Sequence, residues 1–408
     1  MDYLFCFYGA LAILHIVYQL YLGMKHQKLA LAQRRAEMRE VEENGGYESF
    51  TPDVAVFMPV YNEEPDILRE ALLSLKNQRY GGKLRFYVID DGSKNGEEIS
   101  KVFAEFDPKE ENEVQRFYFK RIENMGKRVA QYNALSLMEY LDDKSEIIVT
   151  IDSDTVIARD GIQNLVRAFK DEKIGAATGQ VFVSNNWKNL LTELIGYRYW
   201  MAFNQERAAQ SYFRVLMCCS GPFSAIRRSI FEDVAWQYIN QTFLGKKCTY
   251  GDDRHLTNLV LEKGHDVVYR PFANAYTQVP ETPKRYIKQQ VRWNKSFYRE
   301  MLWTLKSIKS HHWYLLYDLA MQFILPFLLT AAVIHMFYLS FTDGWKHLLA
   351  YLAVMVLIGL LRVSYALFRT KNLRFLKFLG YGLFHVFILL PVRFYAILTL
   401  RDGRLGTR

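Results

Sequence analysis

Glu146-Ile-Ile-Val-Thr-Ile-Asp-Ser-Asp-Thr155 decides how this chain is read. Every residue from Ile147 to Ile151 is β-branched and none is charged, so the run reads as a strand buried on both faces of a parallel sheet. Ligands in open α/β sheets collect at the carboxyl ends of strands, where Asp152 and Asp154 supply two hard oxygen donors one residue apart. That spacing suits a divalent cation bound to a substrate pyrophosphate. An isolated Asp-x-Asp is also what an ordinary acidic turn looks like, so other stretches must choose.

Working outward, residues 53–282 alternate short apolar strands with helical stretches. Strands are predicted over 54–58, 84–89 and 147–151, with helices over 65–77 and 127–141; the alternation predicts a mostly parallel sheet with crossover helices. The first strand runs into Pro59-Val-Tyr-Asn-Glu-Glu64 and the second into Asp90-Asp91-Gly92-Ser93, so three strand ends carry carboxylates. No Gly-x-Gly-x-x-Gly follows the first strand and no Walker lysine occurs, which removes dinucleotide-binding and P-loop readings. Asn124-Met-Gly-Lys-Arg128 opens a helix and offers cations and backbone donors to an anion, although many helices start this way.

The 408 residues carry a net charge of +9, with 28 Phe and 27 Tyr. Apolar ends flank a polar middle, the pattern of a soluble domain anchored in a membrane. The basic residues cluster beside apolar segments and no nucleic-acid motif accompanies them, so anionic lipid headgroups are the expected counterpart and nucleic acid is not. Cys6, Cys218, Cys219 and Cys248 make no disulfide framework, consistent with a cytosolic middle domain. Nothing in the sequence requires an obligate protein partner.

Residues 1–24 read as a retained transmembrane helix. Lys25, Lys28, Arg34, Arg35 and Arg39 follow it, in a basic cytosolic linker over 25–52, and place the amino terminus outside. Residues 283–312 form a basic amphipathic helix suited to the bilayer interface, with Lys288, Arg292, Lys295, Arg299 and Lys306 on one side. Residues 313–368 hold two further spans. The apolar stretch within 369–408 has basic residues at both ends, so an interfacial or re-entrant helix is expected in place of a fourth crossing. The result is three spanning helices, a cytosolic middle domain and a plasma-membrane location.

Taken together, Pro59-Val-Tyr-Asn-Glu63, Asp90-Asp-Gly-Ser93, Gly126-Lys-Arg128, Asp152-Ser-Asp154, Gly251-Asp-Asp-Arg254 and Gln289-Gln-Val-Arg-Trp293 resemble, in order and spacing, the family 2 processive glycosyltransferases. Within them the chain looks like the hyaluronan synthases and the rhizobial chito-oligosaccharide synthases. The resemblance implies an α/β GT-A domain joined to membrane helices, UDP-sugar donors, a growing polysaccharide, and Mg²⁺ or Mn²⁺ on Asp154 assisted by Asp152. It also implies that Tyr61, Glu63, Asp90, Asp91, Lys127, Asp152 and Arg292 bind the nucleotide sugar, with Asp90 or Asp91 and Lys127 at the uridine. By the same resemblance Gln210, Ser220, Gly221, Pro222 and Trp293 line the acceptor. The resemblance further implies that Asp253 acts as general base within a catalytic set that includes Asp252, Gln289, Arg292 and Trp293. From the residues alone, Asp252 and Asp253 are equally well explained as helix-capping carboxylates.

The resemblance extends to the terminal Leu405-Gly-Thr-Arg408, which is similar to a gating segment of hyaluronan synthases but has Leu405 where they have Trp. For the product, Tyr238 to Gly245 and Arg292 to Phe297 look more like hyaluronan synthase, whereas Cys218-Cys219 and Tyr199-Trp200 look nearer the chito-oligosaccharide enzymes. The expectation puts hyaluronan first and chito-oligosaccharide second. A non-catalytic sugar-nucleotide sensor is the rival class; decay would remove carboxylates, and Asp152, Asp154 and Asp253 are all present.

Overall fold

The computed structural model describes residues 3–106 and 114–402. The chain opens with α1 (Tyr3–Glu43) and enters the catalytic domain through β1 (Val54–Val60), α2 (Pro65–Lys76), β2 (Leu84–Asp90), α3 (Gly96–Phe106), β3 (Gln115–Arg121) and α4 (Lys127–Tyr140). Next come β4 (Ile147–Ile151), β5 (Thr155–Ile157), α5 (Gly161–Val166), β6 (Ile174–Val183), α6 (Leu190–Met201), a π-helical turn (Ala202–Arg207) and α7 (Ala208–Tyr212). The domain closes with β7 (Phe223–Arg227), α8 (Arg228–Ile239), the small hairpin β8 (Thr242–Phe243) and β9 (Lys246–Lys247), α9 (Asp252–Glu262) and β10 (Asp266–Thr277).

Eight strands form one sheet in the order β3-β2-β1-β4-β7-β6-β10-β5. β1, β2, β3 and β4 are mutually parallel, β6 pairs parallel with β10, and β7 runs antiparallel between β4 and β6. Side chains alternate across the sheet. Val54, Val56 and Met58 pack with Leu68, Ile99 and Ile162 on one face, while Ala55 and Phe57 pack with Ala134, Phe231 and Val260 on the other. With both faces covered, strand ends are where polar groups can reach solvent. That is why the chemistry collects there.

The remaining helices are α10 (Pro283–Lys306), α11 (Tyr314–Thr342), α12 (Lys346–Thr370) and a composite run containing α13 (Tyr381–Phe384) and α14 (Leu390–Leu398). Among the described residues, four helical segments are long and apolar enough to cross a membrane: α1, α11, α12 and the run Leu373–Leu398. By length and composition the last qualifies, which the sequence reading discounted. It is not one regular helix, since a 3-10 stretch over Leu373–Gly380 and a π stretch over His385–Leu389 interrupt it. Leu405 to Arg408 lie outside the described residues.

Two local expectations change. Residues 25–43 are not a linker, because α1 continues unbroken for 41 residues. Its extension is clasped to the catalytic domain by Glu37 to Arg270 at 2.6 Å and Glu40 to Lys170 at 2.7 Å. On α10, Lys295 and Arg299 do not face headgroups. They are buried, with Lys295 Nζ donating to the Asp402 carbonyl at 3.1 Å and Arg299 to the Tyr250 carbonyl.

Candidate active site

The turn after β2 organises the nucleotide side. Asp91 accepts from the Met125 and Gly126 amides, each at 2.9 Å, which holds Gly126 at φ +94 and launches α4 with Lys127 as its first residue. A side chain would strain that backbone. Burial raises the Asp91 carboxyl above its ordinary range, against the pull of those two amides. Asp90 accepts from the Ser93 amide at 2.9 Å and lies 3.5 Å from Arg121.

From β4, Asp152 meets Lys127 Nζ at 2.5 Å. Burial works against the Lys127 ammonium, but Asp152, Asp252 and Asp253 outweigh it and raise its pKa. Lys127 therefore stays charged at neutral pH. Asp154 is buried and accepts from Thr277 Oγ1 at 3.1 Å. Between the two carboxylates, Ser153 Oγ donates to Glu63 at 2.7 Å, so Glu63 braces the Asp-x-Asp turn. Tyr61, the first residue after β1, is half-buried.

Gly251 adopts φ +84 at the start of α9 and delivers Asp252 and Asp253. Asp252 pairs with Arg128 at 2.5 Å, whereas Asp253 Oδ2 accepts from the Gly221 amide at 3.3 Å. Gly221 is the point of convergence. A Cβ there would lie 3.3 Å from Lys127 Nζ, 3.5 Å from Asp152 Oδ2 and 3.6 Å from Asp253 Oδ2. Groups from α4, β4, the Ser220-Gly221-Pro222 turn and α9 are thus brought within a few ångströms. Ser220 is fixed by its amide donating to Thr178 Oγ1 at 2.9 Å.

Trp293 on α10 lies 6.4 Å from Tyr199, centroid to centroid, and is 46% exposed. Its open side faces a chamber of about 410 Å³ that continues between α1, α11 and α12 to Phe5 and Tyr351. Arg292 is half-buried on the same helix, and the Gln289 Oε1 is buried without a hydrogen-bond partner. Gln210, expected at the acceptor, is elsewhere engaged. It is buried, donates to Asp318 of α11 at 2.7 Å and accepts from the Met217 amide at 3.3 Å, so it ties α7 to α11.

Sequence reasoning missed Thr277 beneath Asp154 and Tyr199 beside Trp293. It also missed Arg198 in the chamber wall, the partner of Glu206. Burial alone would raise the Glu206 carboxyl, but Arg198 and Arg362 outweigh it and hold it low. Arg362, by contrast, announces itself in the sequence as a charge inside an apolar span.

No cluster of three or more His, Cys, Asp or Glu able to hold a metal occurs among the described residues. A cation that shares its coordination shell with substrate phosphates needs only one or two protein carboxylates. Asp152 and Asp154 fit that requirement.

The fold and this cluster define a GT-A glycosyltransferase joined to apolar helices that could span a membrane. Residues 52–296 match the model of the family described as "Glycosyltransferase like family 2". A protein of Neorhizobium galegae named N-acetylglucosaminyltransferase is 40% identical over 359 residues, covering 86% of this chain and 79% of the relative. One of the same name from Bradyrhizobium diazoefficiens is 36% identical over 381 residues, covering 92% and 75%. Among solved structures, the mannosyltransferase PcManGT of Pyrobaculum calidifontis, in complex with GDP-Man and Mn²⁺, superposes with a TM-score of 0.55 at 19% identity, covering 95% of this chain and 99% of that one. The chain belongs to glycosyltransferase family 2.

Proposed function

We propose that this protein is a membrane-embedded, inverting N-acetylglucosaminyltransferase that builds a β-linked chito-oligosaccharide from UDP-GlcNAc and passes it outward between its own helices. The observation that carries the chemistry is the convergence of Lys127, Asp152 and Asp253 about Gly221. The names of the relatives favour GlcNAc over the hyaluronan product that the sequence motifs put first.

In this reading Lys127 and the Asp90-Asp91 turn hold the nucleotide, and Arg292 contacts the diphosphate with its planar fork. Asp154, with Asp152, would hold Mg²⁺ or Mn²⁺, which supplies charge neutralisation for departing UDP. Trp293 and the Ser220-Gly221-Pro222 turn place the acceptor sugar. Asp253 takes the proton of the acceptor hydroxyl as its oxygen bonds to the anomeric carbon and the bond to UDP breaks. A single attack opposite the leaving group turns an α-linked donor into a β product.

The catalytic domain is cytosolic and the membrane is the plasma membrane, with α1 entering from outside. The apolar stretch Phe378 to Leu400 is re-entrant, since Arg374 and Lys377 before it and Arg401 after it then stay on one side.

Donor selectivity tests the product. Purified full-length protein given UDP-GlcNAc alone is expected to yield chitinase-sensitive β-1,4 oligomers, with no stimulation by UDP-GlcA. Polymer formed only when both donors are present would return the assignment to hyaluronan.

A further inference from the structure

The chamber beyond Trp293 holds charged side chains that the transfer chemistry does not use. Arg198 Nη2 of α6 donates to Glu206 Oε2 at 3.0 Å, and both residues line the chamber. Glu206 belongs to the π-helical turn Ala202–Arg207, an irregularity that often marks functional positions. Arg362 of α12 lines the same chamber, anchored where its carbonyl accepts from Gln205 Nε2 at 2.8 Å, and its charge acts on Glu206. The Arg198 Nη1 is buried and has no hydrogen-bond partner. An unpaired guanidinium donor is costly, and the rest of the Arg198 side chain, 32% accessible, is what the chamber can reach.

The chemistry of the guest follows from the signs. Other chamber cations have partners, as Arg393 donates to Asn294 Oδ1 at 3.1 Å and Arg254 lies over the Phe297 ring at 5.3 Å. At the Arg198–Glu206–Arg362 cluster, a carboxylate or phosphate would meet the Glu206 carboxylate. A guest with a carbonyl acceptor and an N–H donor at fixed separation satisfies both signs at once. We infer that Arg198, Glu206 and Arg362 form a product subsite that takes the acetamido groups of the growing chain, the carbonyl on a guanidinium and the N–H on Glu206. The inference rests on the GlcNAc reading above and adds to it a second point of selection, inside the membrane bundle.

The test uses full-length protein in nanodiscs, with chitotetraose and cellotetraose as probes that differ only in acetamido against hydroxyl. Wild type is expected to bind chitotetraose about tenfold or more tightly, the scale of one charge-assisted hydrogen bond. Glu206→Gln and Arg198→Lys should each cut that preference severalfold while UDP affinity stays at the wild-type value, which also reports folding. Full preference retained in both folded variants would overturn the subsite. A second measurement needs no variant: a structure of wild type with bound chitotetraose should show an acetamido group within hydrogen-bond distance of Glu206 and Arg198, and acetamido groups directed elsewhere would overturn it. A wild-type enzyme that transfers no GlcNAc defeats the functional reading and the subsite together. Transfer with unaltered preference defeats the subsite alone.

Discussion

At the scale of single residues, Asp252 and Asp253 show how neighbours divide labour between adjacent carboxylates. Asp252 is tied to the Arg128 guanidinium, which also donates to the Tyr238 carbonyl at 3.0 Å. Asp253 accepts from the backbone amides of Gly221 and Arg254, pairs with no cation among the described residues, and faces the convergence point. Asp253→Asn should therefore lower transfer by about a hundredfold to ten-thousandfold, the usual weight of a general base, with UDP binding unchanged. Product assay beside calorimetric titration of UDP checks this, and sustained synthesis would remove Asp253 from the base role. Asp152, Asp154 and the Asp90-Asp91 turn were legible in sequence because a carboxylate at the end of an apolar strand is a local signal. Thr277, Tyr199 and Arg198 were not, since each gains meaning from a partner on another element. The bond of Gln210 was hidden for the same reason: its partner, Asp318, lies on α11, 108 residues away.

Among the elements, α10 departs most from its sequence pattern. Its cations suggested an interfacial face, but Glu300 draws that side inward. Glu300 is fully buried, accepts from Gln241 Nε2 at 2.6 Å and lies 2.9 Å from His255 Nδ1 on α9. Burial would raise the Glu300 carboxyl, yet His255, Gln241 and Arg299 outweigh it and hold it below the ordinary value of 4.5. A carboxyl lowered on folding stabilises above its unfolded value, and that contribution is lost as pH falls below about 4.5 through the folded value. Glu300→Leu should destabilise the protein by about 3 kcal/mol at neutral pH, because it leaves buried polar partners uncompensated. The variant should also show a shallower loss of stability on acidification. Thermal unfolding from pH 7 to pH 3 measures both, and parallel pH profiles for variant and wild type would contradict the account. Periodicity found the helix and its start at Pro283 but not which face turns inward, because the deciding groups sit on α9 and in the segment ending at Asp402.

At the scale of the whole molecule, catalytic domain and membrane bundle share a polar knot. Asp318 is fully buried on α11, and its two oxygens accept from Gln19 of α1 at 3.2 Å, Gln210 of α7 at 2.7 Å and Gln322 at 2.9 Å. The ion pairs of Glu37 and Glu40 add a second clasp between α1 and the domain. On the proposed reading the site hands a growing chain to the chamber and needs its two halves held in register, and these contacts supply that without apolar specificity. Asp318→Asn keeps the shape but replaces one acceptor oxygen by an amino group facing amide donors. With intramembrane hydrogen bonds near 0.6 kcal/mol each and a donor now opposing donors, the loss should be about 2 kcal/mol. Because α1, α7 and α11 meet at this residue, the unfolding transition should shift as one, by tryptophan fluorescence and by loss of UDP binding alike. If the fluorescence midpoint falls while UDP binding survives to the wild-type temperature, the two halves unfold separately, and the knot does not couple them.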